Sequence, residues 1–253
     1  MIRLVLFVAG AVLGSFLNVL IYRVPRRQSI VRPASSCPSC GERIRPWDNI
    51  PLVSYAALRG RCRGCGTHIS ARYPIVELIS ALVPVALFQT YGLGPGLWVY
   101  WPLSCVLIVL SFVDLDERII PDRVTIPGLA IGLVAAPLAG LTSWGGSFLG
   151  AVVGGGVLYL VALLGAAVFR KDSMGGGDIK LAAMLGAFMG WQPVAVSLFV
   201  AFFVGSVAGG IAIAVKGRDW DRTVPFGPFI ALGAFVGLVW GREIVLFYTG
   251  LFR

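Results

Sequence analysis

Long apolar runs separated by short polar stretches dominate the chain. A helix that crosses a membrane needs about 20 mostly apolar residues. By this criterion the sequence predicts eight spanning helices, at residues 3–23, 74–92, 96–114, 124–141, 146–168, 178–191, 194–215 and 226–248. The sixth segment, DIKLAAMLGAFMGW, is short, so a re-entrant helix is an alternative to a full span there.

The composition agrees with this pattern. The mean hydropathy is +0.86, and only 13% of the residues are charged. A soluble domain of 253 residues could not bury that much apolar surface, whereas a membrane protein has no need to. We therefore predict an all-α polytopic membrane protein with about eight transmembrane helices and a small cytoplasmic subdomain.

The distribution of Lys and Arg predicts the orientation in the membrane, because short loops rich in these residues stay in the cytoplasm. All but three of the 21 Lys and Arg residues fall after the first, third, fifth and seventh helices, and the exceptions are Arg3, Arg242 and Arg253. Both termini are then outside. Without a sixth span, the charges at Lys216, Arg218 and Arg222 would lie outside, against the rule, so we retain that span. Topology accounts for the net charge of +9, and no nucleic-acid partner is expected.

The segment 25–73 is polar, rich in Pro and Arg, and too irregular to predict a helix. It contains CPSC and CRGC, two Cys-x2-Cys pairs separated by 21 residues: Cys37, Cys40, Cys62 and Cys65. Four thiolates at this spacing fit tetrahedral zinc, and a closed site of four sulfurs favours a structural role. Two structural disulfides are the alternative, although the predicted cytoplasmic location argues against them.

Acidic residues cluster where apolar runs end or begin. Asp114 directly follows LIVLSFV, and Asp178 follows three glycines at the start of the sixth helix. Asp116, Glu117 and Asp122 are interpreted as solvated loop acids, and Asp178 has the alternative role of a helix N-cap. Two carboxyl groups at the same depth could meet and share one proton, so that one activates water while the other donates a proton.

Several motifs in this order resemble those of the type IV prepilin peptidases, which are membrane aspartyl proteases. The resemblance covers nearly the whole chain and rests on GSFLNVLIYRVP, CPSC, DNIPLVSY, GRCRGCGTHISARYPIVEL, DLDERIIPD, MGGGDIKLAAMLGAFMGW and PFGPFIALGAF. It implies that Asp114 and Asp178, the latter in a G-x-G-D motif, are the catalytic residues of a bacterial inner-membrane enzyme with its active site facing the cytoplasm.

The same resemblance implies a substrate and a second activity. The substrates would be type IV prepilins or pseudopilins, cleaved after a glycine that ends a short basic leader. The new N-terminal residue would then be methylated with S-adenosylmethionine. Residues 1–24 would form the first transmembrane helix, 25–73 a zinc-binding segment associated with methyl transfer, and 74–253 a seven-helix peptidase domain. No residue is predicted to bind the methyl donor.

Two other functions fit parts of the sequence. A transporter could use Asp114 and Asp178 as an ion relay, although no internal repeat is evident. A membrane-anchored zinc module could bind through its arginines, although it lacks the aromatic-studded strands of common RNA-binding domains.

Overall fold

The computed structural model describes residues 1–169, 174–216 and 224–250. Arg170, Lys171, Arg218, Arg222 and Arg253, which contribute to the predicted orientation, lie outside these residues. The described residues form nine α-helices and one 3-10 turn, Pro46–Asn49. The helices are α1 (Ile2–Arg23), α2 (Val53–Ala57), α3 (Arg72–Tyr91), α4 (Pro95–Glu117), α5 (Asp122–Leu138), α6 (Trp144–Phe169), α7 (Gly176–Met189), α8 (Trp191–Lys216) and α9 (Gly227–Gly250).

Each of the eight predicted spanning segments coincides with a helix, which confirms the all-α polytopic class. Six of these helices are long and apolar enough to cross a membrane: α1, α3, α4, α6, α8 and α9. The other two are shorter, with 17 residues in α5 and 14 in α7. At about 1.5 Å per residue, α7 is roughly 21 Å long, less than the hydrocarbon thickness of about 30 Å.

The prediction that residues 25–73 contain no helix is wrong in detail, because the 3-10 turn and α2 form within them. Both are short, with four and five residues. The rest of this segment is held by turns and by two isolated β-bridges, Ser36 with Arg43 and Arg61 with His68.

The chain divides into two compact units. The first comprises Met1–Gly92 and Trp101–Val109, and the second comprises Leu93–Tyr100 and Leu110–Arg253. In the first unit, α1 packs directly on α3 at Gly10 and Gly14. A Cβ atom at residue 14 would lie 2.7 Å from the Cα of Glu77. Only glycine therefore permits so close a crossing, which brings the polar residues at the end of α1 beside the start of α3.

The core of the second unit is α7. Its residues from Leu181 to Met189 are buried with one exception, Ala183, and α5 and α6 pack against it. Gly186 lies so close to the Gly150 backbone on α6 that neither residue has room for a side chain. The hydroxyl of Ser147 donates to the carbonyl of Ala187 at 2.6 Å. A short helix enclosed in this way is held by its neighbours along its length, which fixes the position of the residues at its start.

Candidate functional site

Asp114 lies inside the second unit, on α4. The helix continues to Glu117, three residues beyond its predicted end, and Asp114 lies in its last turn, as the sequence predicted. Its side chain is buried, with 6% of the residue exposed. Its Oδ2 accepts a hydrogen bond of 2.9 Å from the backbone N–H of Gly227, the first residue of α9. This bond fixes the orientation of the carboxyl group.

Gly227 is a residue that sequence reasoning did not single out, although it lies within the quoted motif PFGPFIALGAF. A Cβ atom at this position would lie 2.7 Å from Oδ2 of Asp114 and 3.2 Å from its Cγ. Any other residue would therefore push the carboxyl group away or lose the hydrogen bond. The sequence offered no local signal for this contact, because Gly227 lies 113 positions from Asp114 in the chain.

Asp178 lies at the start of α7, as the sequence predicted, but the helix begins two residues earlier, so Asp178 is its third residue and not the N-cap. The N-cap is Gly175, whose carbonyl accepts the backbone N–H of Asp178 at 3.1 Å, and no side chain caps this helix. The side chain of Asp178 is half-buried. Its Oδ1 atom is buried and has no hydrogen-bond partner among the described residues. The carboxyl group of Asp178 also interacts with the backbone of Gly175, the N-cap residue.

The glycines before Asp178 have different surroundings. Gly175 and Gly176 are exposed, whereas a Cβ atom at Gly177 would lie 2.8 Å from the Cβ of Ile120, in the link between α4 and α5. Gly177 therefore lets the start of α7 lie against the chain that follows Asp114. This contact and the burial of α7 bring the two aspartates together, so that their carboxyl groups interact electrostatically.

The other three acids lie apart from this pair. Asp116 and Glu117 are exposed and belong to the last turn of α4, so their assignment to a loop is wrong. Asp122 begins α5 and forms an ion pair of 2.6 Å with Lys180 of α7. Because both members of that pair are well exposed, it resembles an ordinary surface salt bridge.

The four cysteines of the first unit converge. The Sγ atoms of Cys37, Cys40, Cys62 and Cys65 all lie within 4.8 Å of one another, and the thiols are free. The Sγ atoms of Cys37 and Cys65 are 3.8 Å apart. With Zn–S bonds of about 2.3 Å, the edge of a tetrahedron is roughly 3.8 Å. The cluster could therefore hold a metal ion, and it is not arranged as two disulfides.

The two Cys-x2-Cys pairs have the same backbone geometry. In the first, the N–H of Gly41 donates to the carbonyl of Cys37 at 2.9 Å, and in the second the N–H of Gly66 donates to that of Cys62 at 3.0 Å. Both glycines have a left-handed backbone, with φ of +73° and +71°. The glycine after each pair therefore closes the turn that points both sulfurs inward.

One side-chain contact ties the second pair to the 3-10 turn. The guanidinium of Arg63, beside Cys62, donates to both carboxylate oxygens of Asp48, at 2.6 Å and 2.9 Å. This bond lowers the pKa of Asp48 below its ordinary value. Next to it, hydrogen bonding with Thr67 lowers the pKa of the Cys65 thiol to about 6. The four thiols interact with one another, and the pKa of Cys40 is raised while those of Cys37 and Cys65 are lowered.

A cavity of about 920 Å³ lies in the first unit, between the end of α1, the cysteine segment and the start of α3. Glu77 of α3 lines it, together with Asn18 and Tyr22 of α1. Glu77 is the only acidic residue of α3, yet sequence reasoning missed it. The signal was a charge within a predicted spanning segment, which is costly unless it has a function.

Family models and individual relatives all point to the same protein family. Residues 8–91 match the family model described as Bacterial Peptidase A24 N-terminal domain, and residues 101–210 match the Type IV leader peptidase family. The chain is 37% identical to a prepilin leader peptidase/N-methyltransferase of Pseudomonas putida, over 94% of this chain and 90% of that protein.

Two further relatives carry the same name. The identity is 37% for the protein of Aeromonas hydrophila, over 96% of this chain and 92% of the relative, and 35% for that of Pseudomonas aeruginosa, over 94% and 90%. No solved structure matches the chain. The family matches favour a peptidase over a transporter or an isolated zinc module. The chain belongs to the family of the prepilin leader peptidase/N-methyltransferases.

Proposed function

We propose that the chain cleaves the leader peptide from type IV prepilins or pseudopilins, with Asp114 and Asp178 as its catalytic residues. The observation that carries this assignment is a buried carboxyl group, Asp114, oriented by the N–H of Gly227 and close enough to Asp178 to interact with it electrostatically. Among the acids of the second unit that the structure describes, these two have this arrangement, whereas Asp122 is ion-paired at the surface.

Two close carboxyl groups share one proton at moderate pH, because ionising both places like charges side by side. The ionised member takes a proton from water, which attacks the scissile carbonyl, and the protonated member donates to the leaving nitrogen. The bond to Gly227 keeps one carboxyl group aimed, and the unpartnered Oδ1 of Asp178 offers a site for water or substrate. Because the shared proton belongs to both carboxyl groups, we do not assign the base to one aspartate and the acid to the other.

The test is cleavage of a purified prepilin by the full-length protein in detergent, followed by mass spectrometry of the new N-terminus. We expect cleavage after a glycine, cleavage that survives a chelator, and no cleavage by Asp114→Asn or Asp178→Asn. Loss of activity with chelator at a concentration that leaves the protein folded would point instead to a metallopeptidase.

For the cysteine cluster we propose structural zinc, bound by Cys37, Cys40, Cys62 and Cys65. The sulfur separations fit this ion, and four sulfurs leave no open position for catalysis. Metal analysis of the purified protein should find one zinc per chain. Complete alkylation of all four thiols in the native protein, with no zinc present, would exclude the site.

We also propose that the protein methylates the N-terminus it releases, with S-adenosylmethionine as the donor. The name of the relatives supports this activity. Residues 25–73 would serve methyl transfer, while residues 74–253 would carry the peptidase and residues 1–24 the first transmembrane helix. Mass spectrometry of the mature substrate tests it, because methylation adds about 14 Da to the new N-terminal residue, and its absence under saturating donor would refute the activity.

The proposed location is a bacterial inner membrane, with both termini outside and the aspartates and cysteines facing the cytoplasm. The segment 25–73 supports this orientation, because it carries many arginines and its cysteines are free. A cysteine introduced at Arg3 should react with a membrane-impermeant reagent added outside intact cells, and protection there would reverse the orientation.

A further inference from the structure

The cavity of the first unit has the size and composition of a small-molecule site. Its volume of about 920 Å³ lies within the usual range of roughly 300–1,000 Å³. Its walls combine aromatic residues, including Tyr22, Tyr55 and Tyr73, with guanidinium groups, including Arg32 and Arg45. Cys37 and Cys62 of the cysteine cluster also line the cavity, but the cluster does not account for the aromatic residues and the arginines.

Two largely buried acids line the cavity, and Asp48 is paired with Arg63, whereas Glu77 has no cationic partner among the described residues. The residue is only 9% exposed. Its Oε2 accepts the backbone N–H of Leu52 at 2.8 Å. Leu52 adopts φ of +62°, a conformation that costs a non-glycine residue energy. The segment before α2 is thus held in an unfavourable conformation that directs an N–H group at this carboxylate.

The wall of the cavity is also held in place where α1 meets α3. Asn18 is buried, and its side-chain amide donates to the carbonyl of Gly14 at 3.3 Å and to that of Tyr73 at 3.2 Å. The second bond joins α1 to the start of α3, one turn before Glu77. With Gly14 in contact with the Glu77 backbone, the carboxylate has a fixed position relative to α1. Fixed polar groups in a concave site are what small-molecule recognition requires.

We propose that this cavity binds S-adenosylmethionine, with the Glu77 carboxylate facing its positively charged sulfonium. The proposal rests on the proposed methyltransferase function and assigns its donor site. The ligand is an adenine ring on a ribose, a cationic sulfur and an amino acid end with its own carboxylate. The aromatic residues can stack on the adenine ring, and the buried Glu77 carboxylate can face the cationic sulfur. The arginines can bind the carboxylate at the amino acid end of the ligand. When bound, the donor supplies a methyl group to the released N-terminus, while Glu77 acts as a binding residue.

The charge on the sulfur gives a direct test. S-adenosylhomocysteine has the same shape without the methyl group and carries no charge on sulfur. We expect Glu77→Gln in the full-length protein to weaken S-adenosylmethionine binding about tenfold or more, by isothermal titration, and S-adenosylhomocysteine binding about twofold or less. The amide can still accept the Leu52 N–H, so the wall should persist. Glu243→Gln, an exposed acid on α9, is the control and should change neither affinity.

Two results would overturn the assignment. One is an equal loss for both ligands in Glu77→Gln, because a purely structural role would not sense the sulfur charge. The other comes from ultraviolet cross-linking of labelled S-adenosylmethionine to the wild-type protein, which needs no variant. We expect labelled peptides from residues 15–77, and labelling confined to residues 110–250 would place the donor elsewhere.

These experiments distinguish a failure of the donor-site assignment from a failure of the proposed methyltransferase activity. A protein that binds the donor as described but never methylates a prepilin would contradict the activity and keep the site. A protein that methylates its product normally in the Glu77→Gln variant, with unchanged donor affinity, would keep the activity and refute the site.

Discussion

The aspartate pair and the cysteine cluster hold their functional groups in different ways. Asp114 and Asp178 lie on separate helices of an apolar unit, where close helix packing at Gly177 and Gly186 fixes their positions. The cysteines lie in a polar segment with only two short helical turns, fixed by paired backbone turns and by the Asp48–Arg63 contact. The aspartate pair should therefore tolerate metal removal and lose its geometry when helix packing is disturbed. The cysteine cluster should lose its structure when metal is removed and be less sensitive to helix packing.

The largest expected effect is at the aspartate pair. Asp114→Asn and Asp178→Asn should each lower prepilin cleavage at least about a thousandfold, because neither amide can take up or give a proton. Single-turnover cleavage with saturating enzyme measures the chemical step. Asp116→Asn is the matched control, an exposed acid half a turn from Asp114, and should retain near-normal cleavage. Near-normal turnover in either amide variant would remove that residue from the catalytic pair.

A second test disturbs the packing around the pair without removing an acid. Gly227→Ala introduces a Cβ atom 2.7 Å from Oδ2 of Asp114, so the carboxyl group must rotate or the start of α9 must move. We expect cleavage to fall about tenfold to a hundredfold, since small misplacements of reacting groups are costly to rate. Gly209→Ala is the control, because nothing lies within 4 Å of a Cβ atom there. Equal activity of the two variants would show that Gly227 does not position Asp114.

These two regions also differ in how far the sequence predicted them. Apolar length located every long helix, because burial in lipid or in the core places the same demand on composition. The Cys-x2-Cys spacing predicted the cysteine cluster, because a recognisable metal-binding motif specifies which four residues meet even though the two pairs lie 21 residues apart. Asp114 and Asp178 were selected by resemblance to a known family, since nothing local shows which distant acids meet.

Contacts between distant residues account for what the sequence did not predict. Gly227 approaches Asp114 across 113 positions in the chain, and Leu52 reaches Glu77 across 25. Hydropathy likewise could not show that α7 is enclosed by its neighbours rather than by lipid. A helix with apolar residues on all sides is compatible with either environment.

Disruption of the cysteine cluster should separate the two activities. The double change Cys62→Ser, Cys65→Ser leaves two thiolates, too few for a closed site, so bound zinc should fall from one per chain to none. Methylation should be lost almost completely, because the segment 25–73 loses its fold, while cleavage should fall only several-fold through weaker substrate positioning. Both products are followed in one reaction by mass spectrometry.

Two outcomes of that reaction would contradict this division of labour. A double variant that cleaves poorly yet methylates every chain it cuts would assign the cysteine segment to the peptidase. A variant that retains one zinc would show that other residues bind it. Cys105→Ser, which changes a cysteine outside the cluster, is the control and should leave zinc content unchanged.

The smallest expected effects compare one ion pair from each region. Asp122 contacts Lys180 through one oxygen at 2.6 Å, and both side chains are about half exposed, at 54% and 43%. Asp48 is held by two nitrogens of Arg63 and is itself only 10% exposed.

Asp122→Asn should therefore change stability by less than about 1 kcal/mol and leave cleavage near normal. Asp48→Asn should lower stability further, because it releases the 3-10 turn from the second cysteine pair. For the same reason, zinc should pass to a chelator several times faster than from the wild-type protein. Thermal unfolding and the rate of zinc release, measured on both variants, make the comparison. If Asp122→Asn instead reduced cleavage tenfold while Asp48→Asn left zinc release unchanged, the start of α7 would depend on its surface ion pair, and packing alone would not account for the position of Asp178.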